Sequence, residues 1–123
     1  MFKKIMISTI VAISLSTASV SASTALANVA SSQENLAHMV TKAYQSKNRT
    51  TLLNTLKKLE AGHSKLASKI HDRELKNLLT YLNLCLKDLE KISKSPYSRQ
   101  NAKRVADLSS SLREGNHYIL SSL

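Results

Sequence analysis

Four histidines, His38, His63, His71 and His117, and a single cysteine, Cys85, are the side chains here best suited to hold a metal or cofactor. Neutral imidazole suits zinc, copper and haem iron. No two histidines have the i, i+4 spacing of a helical two-histidine site. One cysteine excludes an intramolecular disulfide and a thiolate cluster. Ser109-Ser110-Ser111 has no base placed beside it, so nucleophilic catalysis finds no support and the chain does not read as an enzyme. The carboxylates Glu60, Asp72, Glu74, Asp88, Glu90 and Glu114 read as exposed partners of lysines. Cys85 falls in an apolar stripe, where a thiol keeps a raised pKa and stays inert.

The elements that position these groups are helical. The chain has 123 residues with two glycines, one proline and 42% hydrophobic residues, which excludes collagenous, proline-rich and low-hydropathy disordered classes. Gly62 and Gly115 are too few for the turns of an all-β fold. Met1-Phe2-Lys3-Lys4, the apolar run Ile5–Leu15 and Ala25-Leu26-Ala27 have the order of a cleaved export signal. The expected division is therefore a signal peptide over 1–27 and one domain over 28–123, in a periplasmic product. The interrupted apolar run falls short of the roughly 20 residues of a span, so the mature chain carries no transmembrane segment.

Four amphipathic segments follow. Ser31 and Glu34 have capping-box spacing ahead of Gln33, Leu36, Val40 and Ala43, the apolar side of helix one. Asn48-Arg49-Thr50 offers a turn with a capping hydroxyl, after which Leu52, Leu56, Leu59, His63, Leu66 and Ile70 share one face of helix two. Asp72 is the N-cap of helix three, whose stripe is Leu75, Leu78, Leu82, Cys85, Leu89 and Ile92, broadened by Leu79, Leu84 and Leu86. Ser95-Pro96 opens helix four, with Val105, Leu108, Leu112, Gly115 and Ile119 facing inward. Short connections predict an all-α, antiparallel, up-down-up-down four-helix bundle. That topology places Gln33, His63, His71, Asn116 and His117 at one end, with His38 nearer the middle.

These residues carry a resemblance. Gln33-Glu34-Asn35-Leu36 and Leu56-Lys57-Lys58-Leu59-Glu60-Ala61 resemble soluble cytochrome b-562, the periplasmic four-helix haem carrier family. The match runs from Ala27 to about Ser68 without a gap. It continues from Leu75 through Leu108 to Asn116 once the connection between helices two and three is shortened. The resemblance implies an electron-transport protein with haem b between its helices, held by a methionine in helix one and a histidine in helix four. Gln33 stands at the methionine position and Asn116 at the histidine position, and carboxamides bind haem iron poorly.

The substitute ligands are His63, which faces the haem wall, and His117, which a one-residue shift in helix four would bring near. Such a shift rotates a side chain by about 100°, and on the stripe above His117 points to solvent. Met39 lies about 9 Å along the helix from Gln33 and reads as a core filler.

The net charge of +10, or +8 if Lys3 and Lys4 leave with the signal, makes the product basic. Lys57, Lys58, Lys65, Lys69, Lys76 and Lys87 are spread over several helices without interleaved aromatics, which disfavours nucleic acid and fits a solvated surface or an acidic redox partner. The expected product is a monomer. The alternative from another class is a haem-less helical binding or scaffold protein.

Overall fold

A computed structural model describes residues 14–123, with side chains described from residue 24. Four helices account for nearly all of them: α1 (Ser14–Gln45), α2 (Arg49–Lys69), α3 (Arg73–Ser93) and α4 (Arg99–Ser122). Connections 46–48, 70–72 and 94–98 are too short for anything but antiparallel neighbours. The pairs α1–α2, α2–α3, α3–α4 and α1–α4 pack side by side, closing a cycle in which α2 and α4 face each other across a diagonal. The all-α four-helix bundle expected from the sequence is the fold found.

The stripes form the core. All six inward positions expected on α2 are buried, and Leu75, Leu79, Leu82, Cys85, Leu86, Leu89 and Ile92 are buried on α3. Each fully buried leucine contributes about 1.5–3 kcal/mol relative to an exposed one. Leu84 does not broaden the α3 stripe. It is 56% exposed, because it falls on the far side of the helix from Leu82 and Leu86. On α1 the inward face is built from Ala30, Gln33, Ala37, Val40, Ala43 and Tyr44, and its three alanines let α4 approach closely.

Helix boundaries depart from expectation in three places. Nothing between Ser14 and Ser31 breaks a helix, and alanine is the best helix former, so α1 runs unbroken through the expected Ser31 cap. Ala25-Leu26-Ala27 thus lies inside α1, while the positive and most of the apolar part of the expected signal lie outside the described residues. Asn48, not Thr50, caps α2 by accepting from the Thr51 N–H at 3.1 Å. Ser98, not Ser95, caps α4 by accepting from the Asn101 N–H at 3.0 Å, so Pro96 belongs to the connection. Asp72 caps α3 as expected, accepting from the Leu75 N–H at 3.0 Å.

Connections 46–48 and 94–98 meet at one pole. Arg49 donates to the Ser93 and Ser95 carbonyls at 2.6 and 2.9 Å, and its guanidinium lies 5.0 Å from the centre of the Tyr97 ring. Tyr97 stacks at a tilt on buried Tyr44, ring centres 4.8 Å apart. This clasp fixes the pole opposite the connection 70–72.

Candidate functional site

Toward the pole of connection 70–72, one turn each of α1, α2 and α4 places a buried amide or imidazole in an otherwise mostly apolar core. α2 brings in His63 within its leucine face, fully buried between the turns of Leu59 and Leu66. α4 brings in Asn116, fully buried between Leu112 and Ile119, and α1 brings in Gln33, 2% exposed. The glycines belong to this layer. A Cβ on Gly62 would stand 2.2 Å from Gln33 Oε1, so the absence of a side chain there makes the space that Gln33 fills. A Cβ on Gly115 would stand 2.7 Å from Leu82 Cδ2, so that glycine sets the close approach of α4 to α3.

The hydrogen bonds define the chemistry. Gln33 Nε2 donates to the Leu59 carbonyl at 2.7 Å, tying α1 to α2. Asn116 Nδ2 donates to the Leu112 carbonyl at 2.8 Å and meets His63 Nε2 at 3.1 Å. An amide nitrogen only donates, so Nε2 is the acceptor and the neutral ring carries its proton on Nδ1. His63 Nδ1 and Asn116 Oδ1 are buried without a partner. Burial pushes His63 down to about 4, against the opposing influence of the nearby Asn83 and Asn116 amides. Asn83 favours the protonated ring without forming a hydrogen bond of normal geometry to Nδ1. A second polar tie crosses the bundle higher up, where buried Ser109 donates to the Ala37 carbonyl and joins α4 to α1.

The other residues singled out from the sequence lie elsewhere. His117 is on the surface, its Nδ1 3.2 Å from Glu34 Oε1, as its place off the α4 stripe implied. Met39 is 43% exposed and fills no core space, because the small residues Ala37, Val40 and Ala43 already line that face of α1. His38 and His71 are exposed. Sharing an end does not bring the histidines together: among the described residues, no three His, Cys, Asp or Glu side chains are grouped as a metal site. Cys85 is buried and burial pushes its thiol up, as expected of an inert core cysteine.

The arrangement does not fit a six-coordinate haem between the helices. Both positions that the resemblance makes axial carry amides, and both amides are committed to backbone carbonyls. The His63–Asn116 contact also joins α2 to α4 directly across the diagonal, so the interior at this level is occupied by protein side chains. Two features lay outside the reach of the sequence. Ser109 is inward although it sits in a polar run, and an open groove between α3 and α4 is lined by residues from two stripes that no single-helix pattern relates.

No protein family, curated protein or solved structure matches this chain at a significant level.

Proposed function

We propose that this chain is an exported, haem-free helical binding protein on a bundle similar to that of cytochrome b-562, with a self-satisfying polar layer where that family holds its cofactor. The observation that carries this reading is the 3.1 Å His63–Asn116 contact across the bundle. It turns the one interior imidazole toward an amide instead of an open coordination position. The exposed lysines Lys57, Lys58, Lys65, Lys69, Lys76 and Lys87 support an acidic protein or membrane-surface partner, with association that weakens as salt rises. Among the described residues no helix is long and apolar enough to cross a membrane.

Expression to the periplasm with haem supplied, followed by haemin titration of the purified product, tests the reading. The product should be colourless and show no Soret band. A stoichiometric Soret band would overturn it in favour of an electron-transport role.

That second reading has one specific observation behind it, the unpartnered Nδ1 of His63. With the ring proton carried on Nε2 instead and donated to a turned Asn116 amide oxygen, the buried Nδ1 offers iron a lone pair that Asn116 does not occupy. On this reading His63 is the haem ligand, and His63→Ala abolishes the band while His117→Ala leaves it.

A further inference from the structure

The groove between α3 and α4, about 430 Å³ in volume, shares only Gly115 with the polar layer and contains none of Gln33, His63 and Asn116. Its α3 wall is Glu74, Leu78 and Tyr81, and its α4 wall is Glu114, Gly115 and Tyr118. On α3 these residues are three to four apart, and on α4 Ser111, the neighbours Glu114 and Gly115, and Tyr118 follow the same spacing, so each of the two antiparallel helices presents one continuous stripe to the groove. Gly115 brings the helices together beneath it, since a Cβ there would meet Leu82.

Two features set this surface apart from the rest of the protein. Tyr81 and Tyr118 are 51% and 47% exposed, two phenol rings standing at the rim of one depression. Two of the chain's eight carboxylates flank them, in a protein of net charge +10, and neither Glu74 nor Glu114 is in an ion pair among the described residues. The Tyr118 hydroxyl donates to Glu74 Oε1 at 3.1 Å, and that bond and the carboxylate charge push Tyr118 up, so it stays a neutral phenol with its ring face electron-rich. Carboxylates beside tyrosine rings form the pairing that recognises ammonium groups.

We propose that this groove binds a small organic cation, an alkylammonium or quaternary ammonium compound. Glu74 and Glu114 balance its charge, and Leu78 and the two tyrosines cover its carbon shell. The site is separate from the Gln33–His63–Asn116 layer and does not rest on the haem-free reading.

The test is a titration of the full chain with choline, followed through the tyrosine ring resonances by NMR. Neohexyl alcohol, its uncharged carbon isostere, serves as the control. Choline is expected to shift Tyr81 and Tyr118 saturably and to leave Tyr44 and Tyr97 unmoved, while the alcohol shifts none. Glu114→Gln and Glu74→Gln, both at the surface, should each weaken choline about two- to five-fold with the helical circular dichroism unchanged. Equal shifts from the alcohol, or unchanged affinity in both variants, would overturn the proposal. A lysine-rich peptide that binds where choline does not would also overturn it, because the groove would then be a protein contact.

Discussion

His63 is the residue on which most depends, because the fold buries this ionisable side chain completely and leaves it half-satisfied. Its folded pKa of about 4 lies below the ordinary 6.5, so the unfolded chain takes up the proton first as pH falls. Stability from this group is intact above about pH 6.5 and is lost by about pH 4, on the order of 3 kcal/mol in all. Denaturant melts at stepped pH should show that loss in the native chain and not in His63→Gln. Asymmetry of satisfaction gives a second expectation. Removing the polar pair together, in His63→Leu with Asn116→Leu, should cost less than Asn116→Leu alone, which strands the imidazole acceptor in the core at about 1–3 kcal/mol. Urea unfolding of the variants measures the difference. At this scale the sequence was legible for His63, which sits in register with Leu59 and Leu66, and for His117, which does not sit in its stripe. It was misleading for Met39, since apolar chemistry says that a residue can be buried and not that its helix face is.

At the scale of elements, the turns and close approaches are decided by single backbone positions. Lys47 ends α1 with φ 57°, its N–H bonding Tyr44 and the Asn48 N–H bonding Ala43, the double bond of a helix end that favours glycine. Lys47→Gly should raise stability by up to about 1 kcal/mol, read as a higher urea midpoint with unchanged slope. Gly115→Ala should have the opposite effect, lowering stability by about 1–3 kcal/mol as Leu82 is forced aside; in a Leu82→Ala background, itself destabilised, the added cost of Gly115→Ala should be smaller. Arg49→Lys breaks a two-carbonyl clasp that an ammonium cannot span, and should make the pole of connections 46–48 and 94–98 exchange its amides faster. Helix existence and inner faces were legible because leucine recurs at helical spacing. The starts of α1 and α4 were not. Ser31-Ser32 and Ser95-Pro96 are good starting signals, but Ser14–Ala30 offers no break and Ser98 captures the Asn101 N–H instead.

Over the whole molecule, topology accomplishes what no local pattern records. Short corners alternate the helix directions, and the Arg49–Tyr97 clasp closes one pole. Gln33, His63 and Asn116, far apart in sequence, then fall into one buried layer. Their shared end was readable from helix lengths alone. The His63–Asn116 contact was not, because a one-residue rotation of α4 would have exchanged Asn116 for His117. The basic surface acts at this scale too, since its field depends on the summed charge and is screened by salt. A haem-free interior requires that His63 be sealed against Asn116. Long-range proton–nitrogen NMR of the histidine rings, followed through a pH titration of the full chain, asks this directly. The expected result is a His63 ring that stays neutral at pH 6, carries its proton on Nδ1 and titrates only near pH 4. A ring that titrates near 6.5 with its proton shared between both nitrogens would show the layer open to water and would contradict the account.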